Sequence, residues 1–334
     1  MNNDAYTVHN TLRKLGLLSW KSLEEIRPDG SERKFYRIRT AKKYLILMSN
    51  KNPATGKNTD ENSTYIYISG LFAKNHINVP EIYAISEDKT DILMRDIGMT
   101  NLQSWLNRSG LDMEMFGKVM DTALRIGKIK EYEDRYIFNS RYDESFIFRE
   151  ECMYFYENYV NRYIKTSRQK EGILYELKNI SEIYRELIYK GFMHRDFQSR
   201  NILVENNEPF IIDFQGARQG HRAYDMASIV FDPYTNLYPE HYENICRMIR
   251  ERISLEKEDP CSFLKEFELV AIYRLLQIIG AFCNLYYNKR KNFFSAYIQK
   301  ACRNLVTHLE NCREKYMEIT KEALKSQIEG IKGF

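Results

Sequence analysis

The chain carries little excess charge: 50 Lys/Arg against 46 Asp/Glu leave a net +4 over 334 residues. That balance excludes the basic field by which nucleic-acid binders capture phosphate backbones. No run approaches the ~18 uninterrupted apolar residues of a membrane span, so no membrane partner is expected. The opening Met1-Asn2-Asn3-Asp4-Ala5-Tyr6 lacks a basic-then-apolar signal pattern, which predicts a soluble, cytoplasmic protein. The six cysteines, at 152, 246, 261, 283, 302 and 312, form no C-x-x-C and stand at no zinc-ligand spacing from histidine. They read as reduced, mostly buried thiols. Repeats and low-complexity segments are absent.

What is present is ordinary globular composition, 43% hydrophobic and 29% charged. The length exceeds one compact core and predicts two lobes. Residues 7–18 read as an amphipathic helix. Lys34–Arg39 and Tyr44–Met48 alternate as strands about a turn near Ala41-Lys42. Residues 60–75 place Tyr65, Ile68, Leu71 and Phe72 at helical spacing, and two short strands follow at 81–85 and 91–94. From Thr100 onward the pattern is almost wholly helical, ending in a charged helix at 315–334 with a solvated face. One hairpin interrupts it: Ile202–Val204 and Phe210–Ile212 over Asn206-Asn207. The expected architecture is therefore α+β, with a small β-rich lobe over 1–95 and a large helical lobe over 96–334.

Within the helical part stands His194-Arg195-Asp196, followed five residues later by Asn201 and then, after the apolar Pro209-Phe210-Ile211-Ile212, by Asp213. At ordinary residue usage H-R-D-x4-N arises by chance in on the order of one chain in a thousand, so the motif outweighs composition. Phosphoryl transfer needs a carboxylate facing the acceptor hydroxyl, together with an amide oxygen and a second carboxylate to hold Mg²⁺ on nucleotide phosphates. Asp196 suits the first task, as catalytic base, and Asn201 with Asp213 suits the second. Both chain segments return to one point across the two-strand hairpin. His194 reads as structural support for the loop. Asp225, in Tyr224-Asp225-Met226-Ala227-Ser228, reads as a helix-start carboxylate bracing that loop.

The nucleotide side is less marked. Asp29-Gly30-Ser31-Glu32-Arg33 precedes the first strong strand. Gly30 lets backbone approach phosphate, and Ser31 can donate to it. The second strand holds no lysine of V-A-I-K type; Lys42, Lys43 and Lys51 only flank it. Arg33 or Arg37 is left to take the phosphate contact, with Glu61 opening the next helix as a partner for either. Met94 and Asp96, around Arg95, mark the hinge for adenine.

These residues resemble a family. His194-Arg195-Asp196-Phe197, Arg200-Asn201 and Ile212-Asp213-Phe214-Gln215 are similar to the aminoglycoside phosphotransferase-like kinases, and within them to the anomeric N-acetylmuramate and N-acetylglucosamine kinases. Residues 30–38 resemble the family's phosphate loop, through R-x-[FY]-[FY]-R. Tyr142-Asp143 with Glu151, Phe155 and Tyr159 resembles a Y-D…E-x3-F-x3-Y helix, and Tyr224–Ser228 resembles Y-D-[LIM]-A-S. The resemblance implies a protein-kinase-like fold, ATP and Mg²⁺ as cofactors, and a sugar phosphorylated at its anomeric 1-hydroxyl. It also implies that Glu151, Gln198 and Arg200 lie near that sugar. A peptide acceptor is disfavoured: about ten residues separate Phe214 from Tyr224 with no A-P-E after them. Two alternatives are an aminoglycoside phosphotransferase and a non-catalytic nucleotide-binding pseudokinase. Against the first, residues from Glu240 onward carry 16 Lys/Arg and 13 Asp/Glu, a poor match for a polycation. Against the second stands the intact Asp196/Asn201/Asp213 set.

Overall fold

The computed structural model describes residues 3–26, 33–56, 59–137 and 141–330. The chain divides into two compact units. The first comprises 1–102, 131–139 and 201–217; the second comprises 103–130, 140–200 and 218–334.

The first unit is built on a five-stranded antiparallel sheet of order β1-β2-β3-β5-β4. Its strands are β1 (Ser22–Ile26), β2 (Lys34–Arg39), β3 (Tyr44–Ser49), β4 (Ile82–Ile85) and β5 (Asp91–Arg95). Alternation along the strands sends Tyr36, Ile38, Leu45, Leu47 and Leu93 to one face, where they form a core with Val8 and Leu12 of α1 (Asn3–Lys14). That helix stops four residues before its expected end. Gly16 at φ +83° turns the chain, and the Leu17 N–H returns to the Leu12 carbonyl. Helix α2 (Glu61–Lys74) begins where Asp60 accepts the Ser63 N–H at 2.9 Å. Strand β1 was not foreseen. It is an edge strand, largely exposed, and its Glu24-Glu25 hides any alternation.

Also in this unit is the hairpin of β7 (Ile202–Glu205) and β8 (Glu208–Ile211). Asn206 and Asn207 sit at φ +52° and +59°, the pair of left-handed residues that a tight two-residue hairpin turn requires.

The second unit is helical around α11 (Pro260–Cys283), which is buried almost all round. Asp259 caps it through the Cys261 and Ser262 N–H groups, with Pro260 in its first turn. The stretch Pro260–Asn288 is long and apolar enough to cross a membrane by length and composition, but 72% of its most apolar window is buried. Arg274 and Gln277 interrupt it, and it is the core helix of this unit. Short helices α5 (Glu144–Phe146), α6 (Met153–Phe155) and α7 (Asn161–Tyr163) are joined by π-helical turns at 147–152 and 156–160. They lie against α11 at Gly280, where an added methyl would meet the Tyr154 and Phe155 backbone at 2.9 Å. Around them run α4 (Met113–Gly127), α8 (Ser167–Ile183), α9 (Tyr224–Val230), α10 (Tyr242–Leu255) and α12 (Ser295–Asn311).

The tail helix α13 (Glu318–Gly330) is not simply solvated as its charges suggested. Thr320, Ala323 and Leu324 are buried, and Glu176 of α8 caps the Ile319 and Thr320 N–H groups at 2.7 and 2.9 Å. A two-stranded ladder, β6 (Lys190–Met193) with β9 (Arg218–His221), lay unread inside the apparently helical region. All six cysteines are free: Cys152, Cys283, Cys302 and Cys312 buried, Cys246 half-buried, Cys261 exposed.

Candidate active site

In the second unit, β6 delivers the chain into the His194–Arg200 loop. Arg195 takes φ +77°, a left-handed conformation that costs free energy unless it is braced. Asp225, in the first turn of α9, supplies the brace. Its two carboxylate oxygens accept the His194 and Arg195 N–H groups at 2.7 and 3.0 Å. The His194 ring is fully buried and its Nδ1 accepts the Asp196 N–H at 3.2 Å, so it fixes the loop rather than facing a reactant.

Asp196 lies between two guanidinium groups, Arg195 Nη1 at 3.5 Å and Arg274 Nη1 at 3.7 Å. Burial pushes its pKa up, but Arg195, Arg274, His194 and Arg218 together hold it below the ordinary carboxylate value. Its carboxylate is ionised at neutral pH and remains 29% exposed. Behind it Glu151 is fully buried and accepts from the Tyr224 hydroxyl at 3.0 Å. Burial raises Glu151 to about 7 against the pull of Arg195 and Arg274. Gln198, half-buried, donates its N–H to the Asp196 carbonyl at 2.9 Å. Arg200 donates Nε to Gln103 at 3.0 Å and stacks on the rings of Tyr234 and Phe293.

The first unit holds the remaining expected residues. The Ile212 N–H donates to the Asn201 carbonyl at 3.0 Å, closing the hairpin ladder so that Asn201 and Asp213 flank one end of it. Asp213 adopts φ +63° and opens a short turn over Phe214–Gly216. Phe214 is buried and packs on Tyr65 and Phe72, with ring centroids at 4.5 and 5.5 Å. Asp213 Oδ1 accepts from Gln215 Nε2 at 3.0 Å and meets Arg33 Nη1 at 3.3 Å.

Arg33 and Arg37, left open by the sequence, differ sharply here. Arg33, just before β2, pairs with Glu61 at 2.7 Å as well as with Asp213. Arg37 is spent on Asp96, bound through two nitrogens at 2.5 and 2.9 Å, and Asp96 also takes the Gly98 N–H at 2.8 Å. Lys43 lies over the Tyr83 ring, and Lys51 pairs with Asp91. Met94 is buried in β5, its sulfur 3.5 Å from the Tyr65 hydroxyl. Gly30 and Ser31 lie outside the described residues.

Sequence reasoning missed three contributors. Arg274 had a signal, as the one charged residue in the apolar Leu269–Phe282 stretch. Asp232, buried, accepts the Ser199 and Tyr234 N–H groups at 2.8 and 2.9 Å, and Arg218, also buried, lies over Phe146 at 4.7 Å. Neither carried a distinguishing pattern.

The donor set suits Mg²⁺. Asn201 and Asp213 offer hard oxygen ligands, and a hexacoordinate Mg²⁺ on a nucleotide takes the rest from phosphate and water. The absence, among the described residues, of a cluster of three or more His, Cys, Asp or Glu is therefore compatible with it.

The family model described as "Phosphotransferase enzyme family" matches residues 147–248. An N-acetylmuramate/N-acetylglucosamine kinase of Pseudomonas aeruginosa is 23% identical over 285 residues, covering 84% of this chain and 81% of that protein. One of the same name from Neisseria meningitidis is 24% identical, covering 76% of each. A choline/ethanolamine kinase family protein from Mesorhizobium loti superposes with a TM-score of 0.63 at 11% identity, covering 96% of this chain and 98% of that one. An ADP-bound aminoglycoside phosphotransferase gives a TM-score of 0.58 at 13% identity, covering 90% and 98%. These likenesses show an α+β, protein-kinase-like fold. Motif, sequence relatives and fold agree over most of the chain, and together they show a kinase, similar to the aminoglycoside phosphotransferase-like enzymes.

Proposed function

We propose that the protein transfers the γ-phosphate of ATP to a hydroxyl of an amino sugar, the anomeric 1-hydroxyl of an N-acetylhexosamine. The observation that carries this reading is Asp196, ionised and aimed by Arg195 and Arg274 in a loop braced by Asp225. A carboxylate so held is a weak base. It suits a reaction in which the hydroxyl is oriented first and gives up its proton only as the bond to phosphorus forms. The sugar assignment is supported by the names of the sequence relatives.

On this reading Asn201 and Asp213 hold Mg²⁺, which when bound neutralises charge on the nucleotide phosphates. Arg33, anchored by Glu61, contacts phosphate from β2 in place of a β3 lysine. Gly30 and Ser31 add backbone and hydroxyl donors, and the chain around Met94 and Asp96 receives adenine. Glu151 supports the acceptor side from behind Tyr224, while Gln198 and Arg200 face the sugar. Residues 1–95 form the nucleotide-binding lobe and 96–334 the lobe that carries catalysis and the acceptor, in the cytoplasm and away from membrane.

The test is ADP release over a panel of N-acetylhexosamines, simple hexoses, aminoglycosides and choline. Turnover highest on an N-acetylhexosamine is expected; preference for an aminoglycoside or choline would overturn the assignment. Loss of the 1-deoxy sugar as substrate is expected if the anomeric hydroxyl is the acceptor.

A further inference from the structure

The second unit holds a cavity of about 530 Å³ that shares no residue with the Asp196 site. Its walls are α10, the first turns of α11, and the linker that joins α12 to α13. The volume is that of a small-metabolite pocket. Leu264 and the ring of Tyr316 give it an apolar side, and five charged residues line the rest.

Three cations there meet two carboxylates. Lys265 and Glu314 cancel one another: Nζ stands 2.6 Å from the carboxylate, which also accepts from the Tyr316 hydroxyl at 2.7 Å. That leaves Arg250 and Arg313 against Glu268 alone, and burial pushes the Glu268 carboxyl up, towards its uncharged form. Neither arginine forms a close ion pair among the described residues. Arg313 acts on Glu268 only at longer range, and the hydrogen bond that Arg250 makes goes to a thiol, Cys261 Sγ at 3.3 Å. Guanidinium groups ordinarily take carboxylate or phosphate, often through two parallel N–H bonds, and a thiol sulfur is a weak acceptor. The N-terminus of α11 adds nothing to this wall, because Asp259 already accepts the Cys261 and Ser262 N–H groups.

We propose that this cavity is a second ligand site, for a small organic anion whose carboxylate or phosphate head is gripped by Arg250 and Arg313 and whose apolar body lies on Leu264 and Tyr316. A neutral ligand would leave two guanidinium groups without an anion, and a cation would be repelled by them. The proposal does not depend on which hydroxyl compound the kinase phosphorylates.

The cavity wall carries its own reporter, since Cys261 is the one exposed thiol of the six. The experiment follows its alkylation by iodoacetamide in the intact protein, read by peptide mass spectrometry. Phenyl phosphate, benzoate or neutral benzamide is added, with ionic strength held constant by sodium chloride. The two anions present the two head groups on one body. Saturable slowing at Cys261 is expected with at least one of them, about tenfold at roughly ten times its dissociation constant, and none with benzamide. Slowing by one anion alone identifies the head group. Arg250→Gln with Arg313→Gln is expected to abolish the protection, and Arg250→Lys with Arg313→Lys to retain it in part. Protection is the ratio of rates with and without the anion in the same protein, so the effect of Arg250 on the bare thiol cancels. Equal slowing by benzamide or by chloride alone overturns the proposal, as does protection that survives the glutamine pair. So does the absence of protection by either anion.

Discussion

Arg33 and Glu61 form a 2.7 Å ion pair across 28 residues of sequence, and the same guanidinium reaches Asp213 at 3.3 Å. In kinases of the lysine type, a cation on β3 pairs with a helix glutamate and reaches the nucleotide phosphates. Here β3 reads Tyr44-Leu45-Ile46-Leu47-Met48-Ser49, without a cation, and the arginine comes from the neighbouring β2 side. Arg33→Ala is therefore expected to raise the KM for ATP about tenfold or more. Arg37→Ala is expected instead to leave that KM near normal and to cost roughly 3 kcal/mol of stability, because Asp96 loses its bidentate partner. Initial rates against ATP and a urea melt of each variant separate the two.

Asp196→Asn keeps the shape of the side chain but removes its charge. A fall in kcat of about 10²–10⁴ is expected, with Mg·ATP affinity unchanged. Single-turnover phosphoryl transfer and nucleotide titration check it. A variant retaining most of its rate would take Asp196 out of the base role.

Stability should fall as pH rises towards neutrality. Glu151 is a carboxyl whose folded pKa is pushed up to about 7 by burial, and Asp225 likewise. The folded state then binds more protons than the unfolded chain between the unfolded carboxyl value and about 7. The stability each group contributes is full below its unfolded pKa and is lost as pH rises through the folded one. For Glu151 the loss amounts to roughly 3 kcal/mol at most. Glu151→Gln retains an acceptor for the Tyr224 hydroxyl. Its melting temperature between pH 5 and 8 is expected to decline less than that of the intact protein, with Asp225 accounting for what slope remains.

Gly280→Ala is expected to destabilise the second unit by about 1–3 kcal/mol. Its methyl would meet backbone, not a side chain that could swing away. Equilibrium unfolding in urea measures this, and a neutral result would mean that the crossing of α11 with the Tyr154 segment is looser than described.

Where a local rule settled an element, the sequence was sufficient. Asn206-Asn207 can make little but a tight hairpin turn, and Asp60 ahead of Glu61 marks a helix start. The same locality explains the failures. Strands β6 and β9 are four residues long, contain Gly191 and Gly220, and show no alternation. Their pairing joins residues some thirty apart. The Asp196–Asn201–Asp213 order was legible because fixed spacing carries it. The difference between Arg33 and Arg37 was not, because both occupy equivalent sequence settings and only their ion-pair partners Glu61, Asp96 and Asp213, brought in from elsewhere in the chain, tell them apart. Arg274 was readable in principle: a single guanidinium in an apolar helix must find a carboxylate, though the sequence does not say which.

The turn after Asp213 bears on inhibitor chemistry. Phe214 is enclosed by Tyr65 and Phe72, and Gln215, where a glycine would give backbone freedom, holds the Asp213 carboxylate. Compounds that act by trapping an outward-turned aspartate–phenylalanine segment need a state this packing opposes. Selective blockers of this enzyme are better built outward from the acceptor side.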